Sequence, residues 1–139
     1  MRKDQKVMGK LEGLAHIGVY VADVEKSKEF YESVLDFKTV SWCVLDEPGG
    51  ATKVAFVKNG SLTLELIQNP TPQNRSDGVV DHIAMAVEDI EAVRDILESR
   101  GVEFETKDVV IEPRMFLNGA KWLLFRGPDN EYLEIIEAM

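Results

Sequence analysis

The chain repeats itself at about half its length, and this repeat constrains its fold more than any other feature. The segment from His16 to Glu29 aligns with the segment from His82 to Asp95 at an offset of 82 − 16 = 66 residues. Further along, the Leu-Glu-Leu-Ile around Glu65 matches the Leu-Glu-Ile-Ile around Glu134 at an offset of 134 − 65 = 69 residues, and a small loop difference explains the extra three. A repeat of this length indicates a duplicated module rather than a solenoid.

Hydrophobic periodicity predicts the same order of elements in both copies. The first copy contains a strand over 14–21, a helix from Asp23 to about Leu35, and strands near 39–45, 53–58 and 62–67. The second contains a strand over 81–87, a helix over 90–99 ended by Gly101, and strands near 102–111, 121–126 and 132–137. We therefore expect two βαβββ modules, at about 11–70 and 78–139, after a flexible tail over 1–10.

Composition narrows the class of protein. A chain of 139 residues with 45% hydrophobic residues can bury a core as one domain. Its net charge of −9 and its 16 scattered Lys and Arg residues argue against nucleic acid as a partner. The single cysteine, Cys43, excludes an internal disulfide and is expected to be a small buried side chain. No long apolar run supports a membrane anchor, so a cytoplasmic location is expected.

Strand alternation places four residues with metal-binding side chains on equivalent faces. Successive side chains of a strand point to opposite sides of the sheet. His16 and His82 therefore lie opposite the apolar residues that pack against the helix of their module, and Glu65 and Glu134 do the same in the last strand of each module. A lone strand histidine or glutamate is ordinarily a hydrogen-bonded or solvated side chain.

Four such residues together indicate a metal site. A carboxylate on an otherwise apolar sheet face costs several kcal/mol unless it is paired or bound to a cation, and both copies place one equivalently. If the sheets curve around this face and the modules pair by pseudo-twofold symmetry, one cup receives two imidazoles and two carboxylates. The sequence therefore predicts that these four residues bind one ion.

Four stretches resemble one known superfamily over nearly the whole chain after Lys10. They are Leu-Ala-His-Ile-Gly-Val-Tyr-Val-Ala-Asp from Leu14, Leu-Glu-Leu-Ile from Leu64, Val-Asp-His-Ile-Ala-Met-Ala-Val-Glu-Asp from Val80, and Gly-Pro-Asp-Asn-Glu-Tyr-Leu-Glu-Ile-Ile from Gly127. They resemble the vicinal oxygen chelate superfamily of glyoxalase I, bleomycin-resistance proteins and dioxygenases. The resemblance implies an α+β fold in which two βαβββ modules form a curved, incomplete barrel around a metal site, often completed by a second subunit.

In the glyoxalase I branch, the resemblance implies the metal ligands His16, Glu65, His82 and Glu134. Nickel, cobalt, zinc, manganese and iron all suit such mixed nitrogen and oxygen ligands. The implied activity is that of a lyase or isomerase similar to lactoylglutathione lyase, which moves a proton beside a carbonyl through an enediolate held on the metal. Glu134 is the preferred base and Glu65 the alternative. A homodimer is expected, and the site is expected to form either within one chain or across that dimer.

Departures from the pattern leave other branches open. Tyr20 stands where bacterial lactoylglutathione lyases carry an Arg that meets glutathione, whereas Asn69 matches a glutathione-contacting Asn. Glu47 resembles a second acid or base of methylmalonyl-CoA epimerases. A CoA-ester epimerase, a ring-cleaving dioxygenase and an antibiotic-binding or antibiotic-modifying relative remain the alternatives.

Several residues are candidates for binding a small-molecule substrate, and Tyr20 and Asn69 are among them. The aromatic and sulfur-containing side chains that could line the cup around an apolar substrate are Trp42, Phe56, Met115, Phe116 and Trp122. Arg114, in a loop beside Pro113, is a candidate clamp for an anionic group.

Overall fold

The computed structural model describes residues 14–71, 78 and 80–139, so the predicted tail over 1–10 lies outside the described residues. The first module contains β1 (Ile17–Tyr20), α1 (Val24–Ser33), β2 (Lys38–Glu47), β3 (Gly50–Asn59) and β4 (Leu62–Gln68). The second contains β5 (Ile83–Ala86), α2 (Ile90–Ser99), β6 (Val110–Glu112), β7 (Ala120–Arg126) and β8 (Tyr132–Ala138). The order βαβββ occurs twice, as the repeat predicts. Neither described helix is long and apolar enough to cross a membrane.

Each module forms its own four-stranded sheet with the same topology. The strand orders are β1-β4-β3-β2 and β5-β8-β7-β6, and the described strands do not close into a barrel. The first and last strands of each module pair in parallel, whereas the other pairs are antiparallel. Gly18 is opposite Glu65 in one sheet and Ala84 is opposite Glu134 in the other. This identical register confirms the duplicated α+β architecture.

Both helices begin after an aspartate that caps the first turn. The side chains of Asp23 and Asp89 accept hydrogen bonds from backbone N–H groups in the first turns of α1 and α2, as expected for N-cap residues. The first N–H of each helix is bound by the last strand of its module: Val24 N–H donates to Gln68, and Ile90 N–H donates to Glu137, each at 2.8 Å. The strand that carries each predicted ligand glutamate is thus joined to its helix.

One apolar core takes side chains from both modules. The fully buried members from the helices and the strands beneath them include Val24, Tyr31, Leu64, Leu66, Ile90, Leu123, Phe125 and Leu133. The sheet faces that carry the helices therefore pack toward one shared interior. Since neighbouring side chains of a strand alternate, the other face of each sheet is directed away from this core.

Polar contacts join α1 to the turn before β8. Tyr31 donates a hydrogen bond of 2.7 Å from its phenol to the Glu131 carboxylate, and Ala22 N–H donates one of 2.7 Å to Asp129. Glu131 also accepts the N–H of Asp129, at 2.8 Å. The Glu131 carboxylate lies so close to Gly127 that a Cβ at that position would overlap it. The Gly-Pro-Asp-Asn turn therefore couples the second module to the first.

The structure corrects two expectations about strands. The strand predicted over 102–111 is wrong for most of its length, because β6 contains only Val110–Glu112. In the segment before β6, the Leu124 carbonyl accepts a hydrogen bond from Glu105 N–H, but Leu124 N–H donates to the Thr106 hydroxyl. A side chain therefore replaces the backbone acceptor that a paired strand would offer. Cys43, expected to be buried, is exposed on β2.

Candidate metal centre

The first half-site is formed by β1 and β4. His16 directly precedes β1, and its Nε2 lies 3.2 Å from Oε1 of Glu65 on β4. The Phe56 ring packs against the imidazole in a T-shaped contact, with ring centroids 5.3 Å apart and planes at 85°. Phe56 is the register neighbour of Glu65 and so points to the same side of the sheet. The imidazole is 39% exposed and the glutamate side chain 25% exposed.

The second half-site repeats this arrangement on β5 and β8. Nε2 of His82 lies 3.2 Å from Oε1 of Glu134, the same distance as in the first pair. His82 is 40% exposed, but Glu134 is only 11% exposed and is one of two buried polar residues in the described chain. Leu124 occupies the position beside Glu134 that Phe56 occupies beside Glu65. Each histidine therefore lies beside the glutamate of its own module.

The spacing within each pair fits two ligands of one metal ion. Ligand atoms about 2.1 Å from an ion and roughly 90° to 110° apart are separated by about 3.0 to 3.4 Å. Both pairs have 3.2 Å. A neutral imidazole nitrogen and an ionised carboxylate oxygen are donors that divalent transition metals accept. Each half-site therefore fits half of a mixed nitrogen and oxygen metal site.

The two pairs do not form one cluster within a single chain. Among the residues that the structure describes, no group of three or more His, Cys, Asp or Glu side chains could hold a metal ion. All four predicted ligands belong to the described part, so the chain presents two half-sites instead of a complete site. The expected cup with four ligands is not assembled by packing the two modules of one chain together.

Glu134 lies in the more shielded electrostatic environment. Burial raises the pKa of its carboxyl; the adjacent His82 opposes this effect, and the nearby Asp81 carboxylate raises the pKa further. A carboxylate with a raised pKa accepts a proton more readily at neutral pH than an ordinary glutamate. A bound cation would act in the opposite direction by stabilising the ionised form.

Three of the residues predicted to bind substrate lie on the sheet faces that carry the half-sites. Phe56 is beside Glu65 and His16. Trp122 is the register neighbour of Ile136, two residues along β8 from Glu134, and is half-buried. Tyr20 is two residues beyond Gly18 on β1, on the Glu65 side, and is exposed.

Trp42 lies on the opposite face, which corrects its predicted position. Its register neighbour is Ala55, a fully buried residue of the helix-covered face, and Lys28 of α1 places its ammonium group 5.1 Å from the Trp42 ring centroid. The register of β2 shifts between Thr39 and Ser41. This irregularity adds one residue to the strand and moves the following side chains to the other side.

Arg114 is not an unpaired cation in this structure. Its guanidinium donates hydrogen bonds of 2.8 and 2.7 Å to the two carboxylate oxygens of Glu112, while its side chain is 87% exposed. These hydrogen bonds lower the pKa of Glu112. The arrangement of Arg114 is a local surface pair, which departs from the expected anion clamp. Met115 and Phe116 follow it in the exposed loop before β7.

The remaining two candidates lie toward the end of the first sheet. Glu47 is the last residue of β2 and pairs with Gly50. Ser41 is the residue of β2 at the level of Glu65, because it pairs with Phe56, the neighbour of Glu65. Glu47 lies six residues beyond Ser41. At about 3.3 Å per residue this is about 20 Å along the strand from the level of Glu65. Asn69 directly follows β4 and is half-buried. The structure therefore brings neither residue to a half-site of its own chain.

One residue of the second half-site was missed at the sequence level. Oδ2 of Asp81 lies 2.9 Å from Nδ1 of His82, on the side of the ring that faces away from Glu134. The available signal was a difference between the repeats, since Ala15 precedes His16 where Asp81 precedes His82.

Comparisons with known proteins show relatives that are similar in sequence and in fold. The uncharacterized protein YwbC of Bacillus subtilis (strain 168) is 30% identical over 125 residues, which cover 88% of this chain and 94% of that protein. The crystal structure of SMU.1112c matches with a TM-score of 0.76 and 28% identity, covering 92% of this chain and 100% of the other. A glyoxalase family protein from Enterococcus faecalis matches with a TM-score of 0.73 and 25% identity, covering 91% and 98%.

A more distant structure shares the fold alone. The fosfomycin resistance protein FosX from Listeria monocytogenes, crystallised with Mn(II) and sulfate, has a TM-score of 0.67 at 18% identity and covers 94% of this chain and 95% of its own. The family model of the Glyoxalase/Bleomycin resistance protein/Dioxygenase superfamily matches residues 13–135, which include both half-sites. The duplicated βαβββ chain described here therefore belongs to the Glyoxalase/Bleomycin resistance protein/Dioxygenase superfamily.

Proposed function

We propose that the protein is a homodimeric enzyme of the glyoxalase type that depends on a divalent metal and moves a proton at the carbon beside a carbonyl. The observation that carries this proposal is the pair of equivalent His–Glu contacts, each at 3.2 Å, on corresponding strands of the two modules. Each pair offers the donor atoms and the spacing of two metal ligands. Superfamily membership supports the reaction class.

The second subunit is needed because one chain carries two separate halves of the site. In a twofold dimer, His16 and Glu65 would meet the partner subunit's His82 and the partner subunit's Glu134. The symmetry then gives two identical centres, each with four protein ligands. Such a dimer explains why both half-sites are open to solvent in a single chain.

Exposed apolar side chains support the same assembly. From Val40 to Gly50 every residue of β2 and its turn is exposed, and four of them are large and apolar: Val40, Trp42, Val44 and Leu45. β2 is also an edge strand, with unpaired backbone groups on one side. The loop after β6 adds the exposed side chains of Met115, Phe116 and Leu117. Exposed apolar surface of this kind is typical of a protein interface.

The proposed metals are nickel, cobalt, zinc, manganese or iron, which all accept mixed nitrogen and oxygen ligands. When bound, such an ion would polarise adjacent oxygens of a substrate and stabilise the negative charge that develops when a neighbouring carbon loses its proton. His16 and His82 would hold the ion through Nε2, the nitrogen that faces the glutamate in each pair. The substrate class is a hemithioacetal of an α-ketoaldehyde or a related α-hydroxycarbonyl compound.

Glu134 is the proposed base, and Glu65 is the alternative. Glu134 is the more shielded carboxylate, and burial raises its pKa, which favours proton uptake. It would take the proton from the carbon that bears the hydroxyl group and return it to the adjacent carbonyl carbon. The hydroxyl proton would pass to the former carbonyl oxygen, so that the hydroxyl carbon becomes the carbonyl and no proton is gained or lost. Phe56, Leu124 and Trp122 would line the space beside the two glutamates.

Complementation between two inactive variants tests the shared centre. One variant carries H16A and E65A, and the other carries H82A and E134A, so neither homodimer contains an intact set of ligands. If the site forms across the dimer, a mixed dimer restores one of its two centres, and random exchange of subunits recovers about a quarter of the wild-type metal capacity. The mixture must first be shown to contain the mixed dimer. If it then regains neither metal nor activity, the proposal of a site shared between two subunits is wrong.

Activity is measured on wild-type protein reloaded with one metal at a time and supplied with methylglyoxal and a thiol. We expect thioester formation and exchange of the substrate proton with deuterated solvent. Metal binding without thioester formation or proton exchange would contradict the proposed reaction but leave the metal centre standing. Oxygen uptake would instead identify a dioxygenase.

A further inference from the structure

The two half-sites differ by one carboxylate. In the second module Nδ1 of His82 lies 2.9 Å from Oδ2 of Asp81, while Nε2 lies 3.2 Å from Glu134. In the first module the position that corresponds to Asp81 is Ala15, at the same offset of 81 − 15 = 66 residues as the two histidines. The ring of His16 instead makes a T-shaped contact with the ring of Phe56. The environment of Nδ1 is therefore different in the two copies.

A carboxylate at Nδ1 selects one tautomer of a neutral imidazole. The neutral ring carries one N–H and one lone pair, and an ionised carboxylate can only accept a hydrogen bond. Contact with Asp81 as acceptor places the proton on Nδ1, which leaves the lone pair on Nε2 for a metal ion that Glu134 would share. Metal-binding histidines are commonly held by such a hydrogen bond, which also fixes the ring orientation and makes the ring a stronger ligand.

We propose that Asp81 is a positioning residue that holds His82 in the Nδ1–H tautomer and so makes the His82–Glu134 pair the stronger half of the metal centre. This inference rests on the proposed metal function. Glu134 is also less exposed than Glu65, so the second pair is better shielded from water. The first module, with Ala15, supplies the weaker half, and the centre is chemically asymmetric although the fold is duplicated.

The test must separate an effect on the tautomer from an effect of charge, because the Asp81 side chain is 60% exposed and an exposed ion pair contributes little. D81A removes the carboxylate from His82. A15D places a carboxylate at the corresponding position beside His16, where the wild-type residue is exposed. D95N is the control, since it removes the same charge from the exposed face of α2, on the other side of the sheet.

The tautomers are measured by long-range proton–nitrogen correlation spectra of the metal-free protein at a pH above the histidine titration range, with E65Q and E134Q in every sample so that no carboxylate competes for the ring proton at Nε2. The chain contains only two histidines, so variants with one histidine assign the signals. In this background we expect the Nδ1–H tautomer for His82 with and without D95N, and its loss when D81A is added. In A15D we expect His16 to move toward the Nδ1–H tautomer. An unchanged His82 signal in D81A would overturn the proposal. If D81A does not fold, the A15D variant decides instead, and an unchanged His16 signal there would overturn the proposal.

Zinc affinity, measured in competition with a chromophoric chelator, gives the second readout. D81A should bind zinc about 10 to 100 times more weakly than wild type, whereas D95N should bind it equally well. Equal weakening of D81A and D95N would show a general charge effect and overturn the role assigned to Asp81. If wild type itself binds no zinc or other divalent metal, the proposed metal function fails, and the tautomer spectra still decide whether Asp81 orients His82.

Discussion

Tyr31 donates a hydrogen bond of 2.7 Å to Glu131 from a position that is completely buried, and this contact joins the helix of the first module to the turn before the last strand of the second. The same turn is bound to Ala22 through Asp129. The strand that follows it carries Glu134. The position of a predicted metal ligand is therefore coupled to packing between the modules.

The first prediction concerns this contact. Tyr31→Phe keeps the ring in the core but removes the hydroxyl that donates to Glu131. A half-buried carboxylate that loses a donor makes the fold less stable, by about 1 to 3 kcal/mol in the free energy of unfolding. Urea denaturation measures the change. Phe30→Leu, on the same helix but only partly buried, is the comparison for a change in apolar packing, and a Tyr31→Phe protein as stable as wild type would contradict the assigned role.

The second prediction concerns pH. Burial raises the pKa of Glu131, and the hydrogen bonds from Tyr31 and from backbone N–H groups only partly oppose this effect. The folded state therefore holds the Glu131 proton more tightly than the unfolded state. The stability contributed by the protonated carboxyl is fully present below the ordinary glutamate pKa of about 4.3 and is lost as the pH rises through the raised folded pKa.

Glu131→Gln removes this titration while keeping an acceptor for the Asp129 N–H. We expect the difference in unfolding free energy, wild type minus variant, to decrease as the pH rises from about 4 toward neutrality. Other carboxyl groups contribute equally to both proteins and cancel. Chemical denaturation over this range gives the difference directly, and a value that does not change with pH would show that Glu131 titrates normally.

The third prediction concerns a buried hydroxyl. Ser27 of α1 is completely buried, and its Oγ has no hydrogen-bond partner among the described residues. The corresponding residue of α2 is the apolar Val93, at an offset of 93 − 27 = 66. Because an unsatisfied buried hydroxyl destabilises a fold, Ser27→Ala should raise the free energy of unfolding by about 1 kcal/mol. Thermal and urea unfolding measure this gain, and a loss of stability would mean that the hydroxyl is satisfied in solution.

The fourth prediction is that metal binding weakens on acidification. A metal competes with protons for the imidazole nitrogens and the glutamate oxygens, because histidine must be neutral and glutamate ionised to bind it. Burial raises the pKa of Glu134, so protons compete there at a higher pH than at an ordinary glutamate. We expect the affinity to fall as the pH decreases through the histidine range, around pH 6.5. Isothermal titrations at several pH values test this, and constant affinity would exclude histidine ligands.

The sequence predicted the duplicated fold and put each histidine on the same sheet face as the glutamate of its module, because both depend on local periodicity. Strand alternation alone places His16 and Glu65 on one side of their sheet. It could not place Trp42, since one extra residue in β2 between Thr39 and Ser41 reverses the side on which the following residues lie. Nor could it show that the pairs remain apart in one chain, because packing between the modules depends on contacts such as Tyr31 with Glu131.

The final prediction separates the two glutamates of the proposed centre. Glu134→Gln keeps the volume of the side chain and one oxygen that can bind the metal, but it removes the proton acceptor. If Glu134 is the base, turnover falls by about 10² to 10⁴ while metal remains bound. Substrate affinity should change much less. The matched variant is Glu65→Gln, at the corresponding position of the other module, which should retain more activity.

Bound metal and exchange of the substrate proton with deuterated solvent are measured on the same samples. Loss of metal and activity together in Glu134→Gln, with recovery of both on adding metal, would show that Glu134 only holds the ion. The base would then be Glu65, or Glu47 reaching the site of another subunit, and Glu47→Gln distinguishes these two. Full proton exchange by metal-loaded Glu134→Gln would exclude Glu134 as the base, because an amide cannot take up the proton that the reaction requires.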